Sequence, residues 1–322
     1  MRAIPRSALA AIAAIGLVMV APAAASAAAP TATTLGAAQI TITSATLTGN
    51  VNPNGVATTY YFQYGTTTAY GARTPSTGVG KGTATVAAAA QVTGLAPNTR
   101  YHYRVIAHNA DGTDAGADRT FKTPRQPLGL ALNASPNPIV FGGATTLSGN
   151  LSGTGNAGKA VQLQQNAFPF TSGFANVGNA QITDAQGNFA FTVLTVPLTT
   201  QYRVLVASSP SIVSPIATVS VEVLVRTSVT HRHVRRGRKV RFSGTVRPAA
   251  TNVPLAIQKL ASNHRTWVTI SGSITRPRTS SRVVYGKTIR IRRGGSYRVY
   301  VGASGGQFTP NVGRTIVIHT FR

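Results

Sequence analysis

Three groups of residues in this 322-residue chain have the types and spacing of chemistry. Gly153-Thr154-Gly155-Asn156-Ala157-Gly158-Lys159 fits both a G-x-G-x-x-G turn and the start of a P-loop. A P-loop needs a hydroxyl after its lysine for magnesium and a helix whose first amides cradle phosphate. Ala160 stands in the hydroxyl position and Val161-Gln162-Leu163-Gln164 alternates as a strand, so the segment reads as a glycine-rich hairpin turn. Asp111, Asp114 and Asp118 offer oxygen ligands to a hard cation. Their spacing is not that of an EF-hand, and Asp111-Gly112 is ordinary hairpin chemistry. His231 and His233 would share one face of a strand, but Arg232, Arg235 and Arg236 make a field that repels a divalent cation. No metal site and no cofactor is assigned.

Catalysis finds no constellation. Sugar hydrolysis by general acid and base needs two carboxylates a few ångströms apart. The whole chain has five acids: Asp111, Asp114 and Asp118 early, then Asp184 and Glu222. No G-x-S-x-G elbow accompanies a histidine and an acid, and with no cysteine there is neither a thiol nucleophile nor a disulfide. The chain reads as a non-enzymatic protein.

Its charge is more telling. Arg226 to Arg322 carries 20 Lys or Arg and no Asp or Glu, while residues 1–225 hold 11 basic residues and all five acids. A compositional bias toward arginine would spread along the chain, yet residues 126–225 contain only Lys159 and Arg203. One segment is therefore selectively basic and should attract polyanions.

The elements that must position these residues are strands. Outside the N-terminus no amphipathic helix of three turns is visible, and period-two alternation dominates: Val240 and Phe242 interleave with Lys239 and Arg241, Ile289 and Ile291 with Arg290 and Arg292. Sliding the chain on itself by 95 residues aligns Leu147-Ser148-Gly149 with Phe242-Ser243-Gly244 and Tyr202-Arg203-Val204 with Tyr297-Arg298-Val299, the mark of two copies of one fold. At the N-terminus, two arginines within Met1–Arg6, an apolar run from Ala8 to Val20 and the small residues Ala21–Ala29 read as a secretory signal peptide. The run is too short to span a bilayer, so no membrane span is expected.

The first module carries Leu95-Ala96-Pro97-Asn98-Thr99-Arg100-Tyr101, continued by His102-Tyr103-Arg104-Val105, with Asn52-Pro53-Asn54-Gly55 before it and Thr120-Phe121-Lys122-Thr123-Pro124 closing it. With Tyr60-Tyr61-Phe62-Gln63-Tyr64-Gly65 and Asn109-Ala110-Asp111-Gly112-Thr113, these segments cover nearly the whole module, and it resembles a bacterial fibronectin type III domain. That resemblance implies a structural tyrosine corner at Tyr101, whose hydroxyl would bond upstream backbone. The core tryptophan of that family is missing, and Leu47 or Val51 is expected in its place. The two repeated modules resemble bacterial immunoglobulin-like domains. The fold expected is all-β, three tandem Ig-like or fibronectin type III-like β-sandwiches after a signal peptide: 1–29 signal peptide, 30–125 fibronectin type III-like, 126–226 first Ig-like repeat, 227–322 second and strongly basic repeat.

The expected function is that of a secreted, extracellular, cell-envelope or matrix protein in which spacer sandwiches carry a basic module that binds an anionic polymer: wall polymer, acidic polysaccharide or extracellular DNA. Its anion-binding residues are expected to be Lys239, Arg241, Arg290 and Arg292, facing outward from two neighbouring strands. Should that face prove not to be the site, Arg276, Arg278 and Arg282 are the next candidates. Two other readings stay open: a nucleic-acid binder that stacks bases on Tyr285, Tyr297, Tyr300 or Trp267, and an accessory protein of a secreted polysaccharide-hydrolase system.

Overall fold

The computed structural model describes residues 28–208, 210–249, 253–274, 281–303 and 305–322. Arg276, Arg278 and all but the last two residues of the expected signal peptide lie outside them. Every regular element among the described residues is a β-strand. The chain divides into two compact units between Arg125 and Gln126.

In the first unit, Thr31–Thr34, Ser44–Asn52 and Val86–Thr93 form one antiparallel sheet. Thr58–Gly65 and Arg100–Asn109 are the centre of the other. Alternation sets the core: Ala45, Leu47 and Val51 point inward from the first sheet and meet Tyr60, Phe62, Tyr103 and Val105 from the second. Leu47 and Val51 are fully buried, so aliphatic side chains and tyrosine rings fill the interior of a sandwich that has no tryptophan.

The second unit holds two such pairs of sheets, and the 95-residue offset recurs in them strand for strand. Thr145–Ser152 corresponds to Lys239–Arg247, Ala160–Ala167 to Pro254–Leu260, and Thr200–Val206 to Gly295–Val301. Each repeat also pairs a short strand near its start with its last strand in parallel, Ile139–Val140 with Val221–Glu222 and His233–Arg235 with Ile316–Phe321. All three sandwiches share one device. Tyr103-Arg104-Val105, Tyr202-Arg203-Val204 and Tyr297-Arg298-Val299 turn tyrosine and valine inward and arginine outward. There the arginine Nε donates to Gln63, Gln164 or Gln258 Oε1 at 2.8–2.9 Å. Its guanidinium lies over Tyr70, Phe174 or Trp267, 4.1–4.8 Å from the ring centre.

The repeats of the second unit are not joined by a linker. Only Val223, itself buried, separates Val221–Glu222 from Leu224–Val229, whose strand already belongs to the third sandwich through its pairing with Lys239–Arg247. The expected boundary at 226/227 therefore falls inside a strand and moves back to Val223. A loop of the third sandwich also reaches the second: Thr199 N–H donates to the Gln307 carbonyl (3.1 Å), and the buried Phe308 ring meets Phe141 edge-on at 6.1 Å. One hydrophobic core runs through both sandwiches.

Candidate anion-binding site

In the third sandwich, Leu224–Val229, Lys239–Arg247 and Val283–Arg290 form one antiparallel sheet. Val240, Phe242 and Val246 point inward and are buried, and Ile291 is buried just beyond the third strand. Lys239 and Arg241 therefore face outward. Lys239 lies directly opposite Arg290, and Arg241 opposite Thr288. Opposed residues of an antiparallel pair have Cβ atoms about 4.5–5.5 Å apart, so Lys239 and Arg290 are like charges in cross-strand contact. The Arg241 guanidinium leans across Gly286, where any Cβ would collide with it. Position 286 has no side chain, which leaves the room that the guanidinium occupies.

Arg292 departs from the expectation. The strand ends at Arg290; Ile291 still bonds across to Arg238 and Gly237, and Arg292 falls in the bend that follows. Its carbonyl accepts a hydrogen bond from Arg236 Nε at 3.1 Å, but Arg292 is not among the residues that line the basin described next. Alternation in Ile289-Arg290-Ile291-Arg292 continues past the point where the sheet stops, and period two alone does not register the bend.

In place of Arg292 the fold brings residues that strand alternation did not select. Arg235 to Arg238 make a tight turn, with the Arg238 N–H donating to the Arg235 carbonyl at 3.0 Å. Gly237 sits at its third position with φ +89°, a conformation that favours glycine. This turn carries the chain from the His233–Arg235 strand, which belongs to the opposite sheet, onto Lys239–Arg247. It thus sets Arg235, Arg236 and Arg238 beside Lys239, Arg241 and Arg290 around an open basin of about 600 Å³, with His231 on its wall. Arg290 Nη1 donates to the Gly237 carbonyl at 3.2 Å, which ties the turn to the sheet. No Asp or Glu occurs in this sandwich to neutralise the six cations. The run Val234-Arg235-Arg236-Gly237-Arg238-Lys239-Val240-Arg241 held the signal: cations on both sides of a turn glycine.

The corresponding sheet face of the second sandwich has a hollow of similar size lined by Ala131, Asn133, Ser148, Asn150, Asn188 and the carboxylate of Asp184, without a cation. The fold does not require the charge.

The other candidates have structural partners. Tyr101 hydroxyl accepts a hydrogen bond from the Ala96 N–H at 2.8 Å, and its ring stacks on Phe121. Asp114 accepts from the Ala32 N–H (2.7 Å), while Asp118 accepts from the Tyr70 hydroxyl (3.0 Å) and contacts His102 Nδ1 (2.8 Å). His231 precedes the His233–Arg235 strand and lines the basin, while His233 stacks on His319 with ring centres 4.9 Å apart. Gly153, Gly155 and Gly158 all have positive φ in a turn, and a strand, Ala160–Ala167, follows where a P-loop has its helix. Among the aromatic residues considered for base stacking, Tyr297 is buried and Trp267 lies under Arg298. Tyr285 is buried and bonds Thr227 and the Arg226 carbonyl, with its hydroxyl pushed up to about 12 by burial. Tyr300 lies on a strand of the opposite sheet. None lines the basin.

No family model matches the chain, and no curated protein matches it. Among solved structures, it is similar to the chicken CNTN1 FN1-FN3 domains at 14% identity, over 90% of this chain and 99% of that one, with a TM-score of 0.30. It is similar to domains A168-A170 from titin at 16% identity, over 91% and 100% of the two chains, with a TM-score of 0.38. A third likeness is to a tetra-tandem repeat in the extending region of a large adhesion protein, at 14% identity over 90% and 74%, with a TM-score of 0.33.

Proposed function

We propose that this chain is a secreted, non-enzymatic binding and structural protein of a bacterial cell envelope or matrix, in which the third sandwich holds an anionic polymer. The observation that carries the reading is the basin: Arg235, Arg236, Arg238, Lys239, Arg241 and Arg290 around one concavity, in a sandwich without an acidic residue. Like charges set directly opposite each other cost stability, and an anion bound between them offsets that cost. The second sandwich has the same fold and a face that carries no cation, which argues that the cations serve a ligand and not the fold. Polar, aromatic-free surroundings favour recognition through charge over recognition through bases or sugar rings.

The test is a salt titration of polyanion binding by the full chain. Replacing Lys239, Arg241 and Arg290 together by Gln should weaken binding and lower the salt slope by up to about 2.7 for duplex DNA, at about 0.9 per phosphate contact. Arg292→Gln, an exposed cation outside the basin, should leave both nearly unchanged. Equal effects per charge removed in the two variants would show that only net charge matters and remove the site.

A further inference from the structure

The cations of the third sandwich do not end at the basin. Along Lys239–Arg247, every second side chain shares the outward face: Lys239, Arg241, Ser243, Thr245 and Arg247. Arg226, on the neighbouring strand, stands beside Thr245, and both Arg226 and Arg247 are exposed. Between the two cationic ends the face is narrow and hydroxylated. Ser228 and Ser243 pair across the strands with oxygens 3.2 Å apart, and Gly286 opposite Ser243 leaves room into which Arg241 leans. The nine residues of this strand, eight steps of about 3.4 Å, make the row roughly 27 Å long.

From this we infer that the site is a linear track, on which an extended phosphodiester polymer lies along the Lys239–Arg247 strand, its backbone phosphates held by the basin at one end and by Arg226 and Arg247 at the other. The inference rests on the polyanion reading above and adds the ligand's shape and chemistry. A compact anion would fill the basin and have no use for cations roughly 27 Å away. Guanidinium forks suit phosphate oxygens, and serine and threonine hydroxyls can donate to the same oxygens between them. The face offers no aromatic ring for a base or a sugar, so the backbone is what it reads.

The experiment uses the full chain and phosphodiester oligomers made only of abasic sugar units, one short enough to cover the basin alone and one long enough to cover the track. The long oligomer should bind about tenfold or more tighter than the short one. Arg226→Gln with Arg247→Gln should abolish that gain, reduce the long oligomer's salt slope by about 1.4 at about 0.7 per contact, and leave the short oligomer's affinity as it was. The Arg226 carbonyl that accepts from Tyr285 is backbone, so this variant keeps that bond. Equal affinity for both lengths, or an unchanged long-oligomer affinity in the variant, overturns the track while leaving the basin. Failure of both oligomers to bind overturns the basin reading and the track with it. Separate arms with duplex DNA and with a polyol-phosphate polymer identify the source of the phosphates, and a single strand whose affinity depends on its bases overturns backbone recognition.

Discussion

Lys239→Glu should make the protein more stable and a poorer polyanion binder. Lys239 faces Arg290 directly across the ladder. Two unit charges about 6 Å apart in water interact by roughly 0.7 kcal/mol, so turning repulsion into attraction is worth about 1.4 kcal/mol before screening. At about 0.1 M salt the Debye length is about 10 Å, which leaves a gain near 1 kcal/mol. Lysine and glutamate are similarly disfavoured in strands, so propensity nearly cancels. In a unit the size of Gln126–Arg322, such a gain raises Tm by about 2–4 °C. Thermal unfolding followed by near-ultraviolet circular dichroism at low salt and at about 1 M, where the Debye length is about 3 Å, separates charge from packing. The gain should be present at low salt and nearly gone at high salt, and Lys239→Gln should show about half of it. A Tm that falls or stays level at low salt, or a gain that survives high salt, refutes the argument that these cations are held together against their own repulsion.

Phe308→Ala removes a buried ring between the second and third sandwiches and should cost about 3–5 kcal/mol, with the second unit melting earlier in a single transition of its own; separate transitions for the two sandwiches of that unit in the unaltered chain would contradict the shared core. Tyr101→Phe deletes the hydroxyl that accepts from Ala96, and urea unfolding of the first unit should show a loss of about 1 kcal/mol with the second unit unaffected. Bonds from the Asn188 N–H (2.8 Å) and side-chain amide hold the Asp184 carboxyl below its ordinary value. Its contribution to stability is thus complete above that ordinary value and is lost as the pH falls through the lowered one. A carboxyl titration by nuclear magnetic resonance checks this, and Asp184→Asn should flatten that part of the pH profile.

Much of this fold was legible because its signals are local or periodic. Alternation placed Val240 and Phe242 inside with Lys239 and Arg241 outside, and Tyr-Arg-Val marked the same central strand three times. The 95-residue offset located the repeated strands because two copies of one core must keep their spacing. Contacts made by turns and loops over long sequence separations were not legible. Nothing in Arg235-Arg236-Gly237-Arg238 says which sheet the turn will join, so half of the basin was missed. Phe308 looks like any loop aromatic until the second sandwich closes over it. Arg292 was placed on the face because its alternation outlasts the strand that gives alternation its meaning.

The parallel pairing of a short early strand with the last strand of each repeat bears on how the second unit meets mechanical force. In an antiparallel hairpin pulled from its open end, bonds break one after another. In a parallel pair, the start of the first strand and the end of the last lie at opposite ends of the ladder, so tension along the chain loads every bond of that ladder together, in shear. Ile139–Val140 with Val221–Glu222 and His233–Arg235 with Ile316–Phe321 place such a shear clamp in each repeat. Residues 223–232, which include the Leu224–Val229 strand, lie between the two clamps, so a pull on the unit also meets the antiparallel pairing of that strand with Lys239–Arg247. Resistance to pulling follows the unfolding rate rather than the equilibrium stability, so the two clamps bear on how slowly these sandwiches open under load.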